Sequence, residues 1–577
     1  MKLFKTMSRS LSLVAFVALL AGCSGSDGTN GSNGVNGLES LLSMNDEPIG
    51  TNCTYGGTQI TSGIDANNDG NLTQDEVDHT EYICSDSSQA TAFDGVVYMA
   101  DKNINNMYEL YANVGGTEIK LAAPAVSSER IANIEISPDK TRVAYQQGGR
   151  LYSVDLLRRS APVLMHPELV VGGEIVNFKW APDSSKIAYR AVQNIDNVFE
   201  LYTVLMDGSG NVKVNRHLIS GGDVDTYLWA PDSSKLLYRA DQDTDEIDEL
   251  YSVSPAGSNN IKVNGNLVAG GNVLDYSWAP DNSKILYRAD QDTRGIAELY
   301  SVFSDGSGNV KLSGTFVAGG DVANFQWAPD SSKIFYRADQ NRDEVYELYT
   351  VFADGSGRIK VHSDLGTNSD VTHDCQWAPD SSKILYRADQ DTNGVDEFYT
   401  VSPDGSSNVK VNDNIIAGGN VWTGTWSPDS SKILYSANQN IGGADELYTV
   451  SPDGSNNVKI NGNLIAGGNV YNYKWSPDSS KILYRADQDI DEVYELYTVS
   501  PDGSGNVKVN GSLVARGHIE NDYKWASDSL KIFYRADQDT YWIEELYSVL
   551  ADGSENTKIS GEMPEFGSVR EFIIVEP

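Results

Sequence analysis

Twelve residues near the N-terminus place oxygen-bearing side chains at a spacing that could enclose a calcium ion. The candidate ligands are Asp65, Asn67, Asp69, Asn71 (through its backbone carbonyl) and Glu76. Gly70 would permit the sharp turn that brings these groups round one centre, and Glu76 would close the shell with both carboxylate oxygens. The alternative is an Asx-rich turn held by local hydrogen bonds. The spacing predicts a structural calcium ion as a cofactor.

This spacing resembles the EF-hand loop, although residues 56–63 are too rich in glycine, threonine and serine for an entering helix. We therefore expect an EF-hand-like loop with at most one exiting helix, near residues 75–80, and no helix pair that opens as a switch. Cys53 and Cys84 bracket the segment and predict a disulfide in an oxidising compartment. The segment also resembles a small domain of unknown function found behind glycine-rich tethers in bacterial lipoproteins, which implies a location and no activity.

The first residues predict export. Lys2, Lys5 and Arg9 precede an apolar run at residues 11–21, which is too short to span a bilayer and is typical of a secretory signal. The run ends in Leu-Ala-Gly followed by Cys23, which resembles the bacterial lipobox. That resemblance implies cleavage before Cys23, a diacylglycerol and palmitate anchor on it, and attachment to the membrane. Ser24 favours the outer over the inner membrane; the alternative is an ordinary secreted protein.

Glycine recurs at every third residue from Gly25 to Gly37, with no proline between them. This pattern favours a flexible tether, with a short collagen-like trimer as the alternative. The sequence thus predicts four parts: a signal peptide (residues 1–22), an anchor and tether (23–44), a disulfide-stapled module (45–86) and a large repeat domain (94–577).

Eight tryptophans divide the repeat domain into similar units: Trp180, Trp229, Trp278, Trp327, Trp377, Trp426, Trp475 and Trp525. Successive tryptophans are 49 or 50 residues apart. In the unit around Trp278, β-branched and aromatic runs at residues 273–278, 285–288, 298–302 and 309–312 alternate with turns rich in Pro, Asp and Gly. Each unit predicts four antiparallel strands, which is one blade of an all-β propeller.

The Trp-Ser-Pro-Asp turns, as at residues 426–429, and the Pro-Asp-Gly turns, as at residues 452–454, resemble the propeller repeats of the TolB family. The resemblance covers residues 94–577 and implies a fold more strongly than a function. A degenerate unit with Pro138 precedes the eight regular ones. Residues 95–121 add three strands, and residues 569–574 add an opening strand that would complete the first blade. We expect one closed ring of ten blades, with two smaller propellers as the alternative.

One face of this propeller should carry the loops between the second and third strands, which are acidic. The candidate binding residues are Asp241, Asp243, Asp290, Asp292, Asp389, Asp391, Asp487 and Asp489, together with Trp542 in an otherwise acidic loop. These carboxylates could hold calcium or a basic ligand; the alternative is that Asp simply favours turns. The periodic tryptophans are expected to wedge between blades, whereas Trp422 and Trp542 break the period.

The formal net charge of -38 argues against binding to nucleic acid or anionic lipid head groups. Three classes compete: a non-catalytic envelope lipoprotein that binds a protein or glycan, a metal-dependent polysaccharide lyase or hydrolase, and a propeller that gates a hydrolase. No histidine recurs at a blade position among His79, His166, His217, His362, His373 and His518, and no nucleophile-elbow motif is present. Cys375 stands at a core position. The sequence therefore favours the non-catalytic binding lipoprotein.

Overall fold

The computed structural model describes residues 39–47, 57–67, 72–73, 75–84 and 93–576, apart from residues 125, 127–128, 159, 364, 367–368, 416–418 and 440–442. The chain divides into two compact units, Met1–Thr91 and Ala92–Pro577. Within the described ranges every regular element is a β-strand, and no helix could cross a membrane. The predicted lipidation and disulfide residues Cys23 and Cys53 lie outside the described residues, so both assignments stay predictions.

The first unit contains a three-stranded antiparallel sheet in the order β1-β2-β3. Its strands are β1 (Glu39–Glu47), β2 (Gly57–Asp65) and β3 (Val77–Cys84). β1 begins inside the segment predicted as tether. The exiting helix predicted near residues 75–80 is wrong, because β3 occupies this region. Val77, Thr80 and Tyr82 favour extended backbone, and β3 pairs with β2 along its length, with one bulge between the Ser62 and Gly63 pairs.

The second unit contains the remaining forty strands. In chain order they are β4 (Gly95–Ala100), β5 (Glu109–Val114), β6 (Thr117–Ala122), β7 (Ile131–Ile136), β8 (Arg142–Gln147), β9 (Arg150–Asp155), β10 (Val163–Leu164), β11 (Ile175–Trp180), β12 (Lys186–Ala191), β13 (Glu200–Leu205), β14 (Val212–Lys213), β15 (Val224–Trp229), β16 (Leu236–Ala240), β17 (Glu249–Val253), β18 (Ile261–Lys262), β19 (Val273–Trp278), β20 (Ile285–Ala289), β21 (Glu298–Val302) and β22 (Val310–Lys311). They continue with β23 (Val322–Trp327), β24 (Ile334–Ala338), β25 (Glu347–Val351), β26 (Ile359–Lys360), β27 (Gln376–Trp377), β28 (Ile384–Ala388), β29 (Glu397–Val401), β30 (Val409–Lys410), β31 (Val421–Trp426), β32 (Ile433–Ala437), β33 (Glu446–Val450), β34 (Val458–Lys459), β35 (Val470–Trp475), β36 (Ile482–Ala486), β37 (Glu495–Val499), β38 (Val507–Lys508), β39 (Ile519–Trp525), β40 (Lys531–Ala536), β41 (Glu545–Leu550), β42 (Thr557–Lys558) and β43 (Val569–Val575).

These strands form ten four-stranded antiparallel sheets, the blades of a β-propeller. Blade 1 has the order β43-β4-β5-β6, and blades 2 to 10 take β7 to β42 in consecutive groups of four. The last strand of the chain therefore pairs with the first strand of the propeller, with Val97 opposite Ile573 and Tyr98 opposite Phe572. The predicted fold class, blade number and closing strand are confirmed.

Hydrophobic packing joins each blade to the next. In the described part of the propeller there are ten apolar clusters, each spanning one junction between consecutive blades. The cluster at the closing junction joins Phe533 and Leu546 of blade 10 to Tyr98 and Phe572 of blade 1. The blades thus form one closed ring, not two smaller propellers.

A buried tyrosine pair recurs in the centre of all ten blades. In blade 4, Tyr238 and Tyr251 stack with ring centroids 5.2 Å apart. The Tyr251 hydroxyl donates to Glu249 at 2.9 Å, and the Lys262 ammonium donates to the other oxygen of Glu249 at 2.8 Å. Each buried polar group therefore has a partner, which is the condition for placing a carboxylate in a core.

The periodic tryptophans act as wedges, as predicted. Trp180, Trp327, Trp377 and Trp426 are buried. The indole N–H of Trp377 donates to the backbone carbonyl of Gln326 in the preceding blade at 3.3 Å.

Phe572→Ala tests whether the closing junction holds the ring together. Phe572 is fully buried, so truncation should lower the free energy of unfolding by about 3–5 kcal/mol and the melting temperature with it. Phe303→Ala is the matched control, because Phe303 is 43% exposed. Thermal unfolding followed by circular dichroism measures both variants. Equal melting temperatures for the two variants would contradict the prediction that packing at this junction stabilises the ring.

Candidate functional site

Glu76 ties together the two ends of the predicted calcium loop. One carboxylate oxygen accepts hydrogen bonds from the backbone N–H groups of Ala66 (3.0 Å) and Asn67 (3.2 Å). The other accepts from the backbone N–H (2.9 Å) and hydroxyl (2.7 Å) of Thr73. The Thr73 bonds are the main reason that the pKa of Glu76 is lowered. Asp65 is buried at the end of β2. The loop is thus organised around a carboxylate, while Asp69 and Asn71 lie outside the described residues.

The predicted acidic face is formed by the loops between the second and third strands of each blade and by the connections between blades. Each predicted acidic loop carries an Asp-x-Asp motif, and the first aspartate of this motif bonds the loop to the preceding connection. Asp389 accepts hydrogen bonds from the backbone N–H groups of Asp370 (2.6 Å) and Gly394 (2.9 Å). The corresponding residues Asp241, Asp290 and Asp487 each accept from the connection that precedes their blade. These four carboxylates hold the loops in place.

The second aspartate of each motif is exposed on this face: Asp243, Asp292, Asp391 and Asp489. Each has one neighbour within its own blade. The Tyr251 hydroxyl donates to Asp243 at 3.2 Å, and the Tyr497 hydroxyl donates to Asp489 at 3.1 Å. The ammonium group of Lys311 pairs with Asp292, and that of Lys410 pairs with Asp391. No three His, Cys, Asp or Glu residues lie close enough to form a metal group in the described ranges. Calcium binding by these loops stays a prediction.

A group of aromatic residues, all but one of them exposed, lies on the same face in blades 8 to 10; we call it the aromatic sector. It comprises the exposed residues Trp422, Tyr471, Tyr541 and Trp542 and the half-buried Tyr494. Tyr471 meets Tyr494 edge to face at 4.9 Å, and Tyr541 meets Trp542 at 5.0 Å. Sequence reasoning found Trp422 and Trp542 but missed the three tyrosines. Tyr471 could have been found from the sequence, because it and Trp422 are the second residues of the first strands of their blades, where the other blades have smaller side chains.

Polar groups fix the orientation of the aromatic sector. The Trp422 indole N–H donates to Asp445 at 2.7 Å. The guanidinium of Arg485 lies 4.1 Å from the Tyr494 ring centroid and 5.8 Å from that of Tyr471. Aromatic rings held by charged neighbours, with one face open to solvent, are the side chains that contribute most to recognition surfaces.

Two exposed aromatic residues occupy backbone conformations that favour glycine. Trp542 has φ of 68° and Phe566, in the connection from blade 10 to blade 1, has φ of 70°. At the positions corresponding to Phe566, other connections place Gly221, Gly270 and Gly467. A left-handed conformation costs a non-glycine residue roughly 1–2 kcal/mol. Trp542 is 71% exposed and Phe566 is 65% exposed, so core packing does not offset this cost. The same conformation is adopted by Glu246, Glu344 and Glu492 at the position of Trp542 and by Arg516 at that of Phe566, so it belongs to the repeated turns and not to the aromatic side chains.

His518 lies beside this sector, at the start of blade 10. Its imidazole is 2.9 Å from a Glu520 oxygen and 3.6 Å from an Asp537 oxygen. The Glu520 hydrogen bond is the main reason that the pKa of His518 is raised. Asp537 also accepts a hydrogen bond from the Trp542 backbone N–H at 3.4 Å. The charge of His518 is therefore linked to the loop that carries Trp542.

Three other histidines, His166, His362 and His373, each lie next to an oxygen atom of the following residue. His166 and His362 lie next to the backbone carbonyl oxygens of Pro167 and Ser363, and His373 pairs with Asp374 at 3.2 Å. Cys375 packs at the edge of the cluster between blades 6 and 7, and burial raises its pKa to about 12. A thiol with this pKa is a poor nucleophile at neutral pH, which agrees with the expected core role.

Comparison with known proteins gives one family match, to the small module, and several solved structures of low similarity. A family model described as a domain of unknown function, DUF7151, matches residues 39–84. No curated protein matches the sequence. Solved structures similar to the chain include a eukaryotic initiation factor (15% identity, 72% of this chain and 94% of that chain, TM-score 0.45). They also include an oligogalacturonate lyase in complex with manganese (14%, 63% and 97%, 0.32) and a putative TolB from Agrobacterium tumefaciens (14%, 46% and 88%, 0.26).

Glu520→Gln is expected to lower the pKa of His518 towards 6.5, because it removes the carboxylate that stabilises the imidazolium. Because the pKa of His518 is higher in the folded than in the unfolded state, protonation of His518 stabilises the fold. This contribution is complete below pH 6.5 and is lost as the pH rises through the folded-state pKa. The wild-type advantage in melting temperature over Glu520→Gln should therefore be present at pH 6 and shrink above the folded pKa. Histidine-selective NMR titration, assigned with His518→Asn, measures the pKa. An identical His518 pKa in both proteins would count against this pairing.

Proposed function

We propose that the protein is a non-catalytic lipoprotein of the cell envelope that binds a protein or glycan on the acidic face of its propeller. Lipid attachment at Cys23, with the outer membrane favoured, would hold the protein at a membrane surface. The observation that carries the proposal is the aromatic sector. It places exposed tryptophan and tyrosine rings beside Arg485 and fixed carboxylates, which is the chemistry of a recognition surface.

The surroundings of the aromatic sector favour a partner with cationic or hydrogen-bonding groups. Asp489 is exposed in the blade that carries Tyr471 and Tyr494, and the formal charge of the chain is -38. A complementary charge would speed association and select the partner, while the aromatic rings would supply most of the contact energy. We assign calcium a structural role in the small module, with Asp65, Asn67, Asp69, Asn71 and Glu76 as ligands.

Trp542→Ala tests the binding surface. Purified protein starting at Ser24 would capture partners from envelope extract, and affinity for the retained species would then be measured by calorimetry. Loss of a central tryptophan should weaken binding by about 2 kcal/mol, or roughly 30-fold.

Leu530→Ala is the matched control for this experiment, because Leu530 is 63% exposed in the turn between the first two strands of blade 10, on the opposite face. Its affinity should equal that of the wild type. Equal loss in both variants, or metal-dependent turnover of an acidic polysaccharide by the wild type, would contradict the proposal.

Glu76→Gln and Asp65→Ala test the calcium assignment. Each removes a predicted carboxylate ligand, so calorimetric titration of calcium into either variant should lose the heat of the module site. Asp78→Asn is the control, since Asp78 is exposed in β3 and is not a predicted ligand. The assignment would be wrong if the wild-type protein bound no calcium, or if Glu76→Gln and Asp65→Ala gave the same calcium titration as the wild type.

A further inference from the structure

The closing junction, between blades 10 and 1, contains a cleft of about 450 Å³. Its lining includes Asp94, Asp528, Lys531, Ser548, Glu555 and Glu576. The cleft lies at the turns between third and fourth strands, on the face opposite the aromatic sector. It is therefore independent of the proposed binding surface.

The corresponding space at six other junctions is filled by the turn between the third and fourth strands of the following blade. A threonine or serine in the third strand of the preceding blade donates a hydrogen bond of 2.6–2.8 Å to a backbone carbonyl in that turn. The donors are Thr203, Ser301, Thr350, Thr400, Thr449 and Thr498, and the acceptors are the carbonyls of Pro255, Ala353, Pro403, Pro452, Pro501 and Ala551, in that order. Each of these turns acts as a plug against the preceding blade.

Blade 1 has no such plug. Its third and fourth strands, β5 and β6, are joined by Gly115 and Gly116 alone. A Cβ atom built on either glycine would meet nothing within 4 Å. In contrast, a Cβ on Gly553, in the turn of blade 10, would lie 3.0 Å from the carbonyl oxygen of Lys508 in blade 9. The plugs elsewhere thus rest on the outer strand of the preceding blade, and the turn of blade 1 does not reach it.

Two hydrogen-bond donors of the cleft, Ser548 and Lys531, have no plug carbonyl to donate to, whereas six equivalents of Ser548 and three of Lys531 do. Ser548 occupies the strand position of Thr498 and is only 6% exposed. Its hydroxyl has no hydrogen-bond partner in the part of the chain that the structure describes. Lys531 occupies the position of Lys333, whose ammonium donates to the plug carbonyl of Pro403 at 2.9 Å. Lys531 forms no ion pair with any described residue.

We propose that this cleft binds a β-turn of a partner polypeptide, of the Pro-Asp-Gly-Ser type, in place of the missing plug. The Ser548 hydroxyl and the Lys531 ammonium would donate to the backbone carbonyls of the turn, as their equivalents do elsewhere in the ring. Two of the lining carboxylates are already engaged, because Asp528 accepts from the Leu530 N–H at 2.8 Å and Glu576 accepts from the Ser527 N–H at 2.6 Å. Asp94 and Glu555 remain to favour a lysine next to the turn.

A synthetic peptide with the sequence of Ser451–Lys459 is the probe, because it contains a complete plug followed by a lysine. Titration of the full chain with this peptide should show saturable binding with a dissociation constant in the millimolar range or tighter. Ser548→Ala should weaken it roughly three- to ten-fold through the loss of one hydrogen bond. Ser554→Ala, in the plug of blade 10 itself, and a scrambled peptide are the controls.

A second variant fills the cleft from within. The sequence of residues 451–457 would replace Gly115 and Gly116, which gives blade 1 the plug that its siblings have. This graft should raise the melting temperature and abolish peptide binding. Absence of binding to the wild type would overturn the proposal, as would unchanged affinity in Ser548→Ala. If the grafted chain does not fold, the Ser548→Ala comparison decides the question alone.

Discussion

Packing between consecutive blades is the interaction on which the rest of the structure depends. Each blade is a sheet with apolar side chains on both faces, so it must be covered on both sides. A row of blades would leave two such faces in water, whereas a ring leaves none. The chain closes the ring by pairing β43 with β4, and the cluster that contains Phe572 covers the last junction. Because the last strand of the chain pairs with the first strand of the propeller, neither end of the propeller is left as an unpaired strand.

The same packing decides which polar groups remain for recognition. In every blade except blade 2, a glutamate accepts hydrogen bonds from one hydroxyl of the tyrosine pair and from a lysine ammonium, so these polar groups are committed to one another. The first aspartate of each acidic loop is committed as well, because it joins the loop to the connection before its blade. What remains exposed on that face is the second aspartate and, in blades 8 to 10, the aromatic sector. The sequence suggests a uniformly acidic face, but in the structure the aromatic sector makes one part of that face different from the rest.

The sequence was sufficient to predict the fold, because the tryptophan period and the unpaired strand at residues 569–574 give both the blade number and its closure. It was not sufficient to separate structural from exposed carboxylates, since Asp389 is bound by a backbone group that approaches only when the ring is folded. The helix expected after Asp75 is wrong because Val77, Thr80 and Tyr82 favour extended backbone and β3 pairs with β2. Tyr494 was overlooked because its position follows an acidic loop, and only its contact with Tyr471 across the face reveals it.

The deviations from the repeat concentrate around the closing junction. Blade 1 is assembled from both ends of the propeller, so its turns are not copies of those in the regular blades. On one face Gly115 and Gly116 replace a plug and leave Ser548 without its usual acceptor. On the other face, Phe566 and Trp542 place aromatic side chains at turn positions where the other blades have glycine, asparagine, glutamate or arginine. Neither change is needed for closure, which strand pairing and the cluster around Phe572 already provide. A ring whose stability comes from many equivalent junctions can tolerate one junction that is less than fully packed. That tolerance makes the closing junction the place where this propeller can carry binding sites that its regular blades cannot.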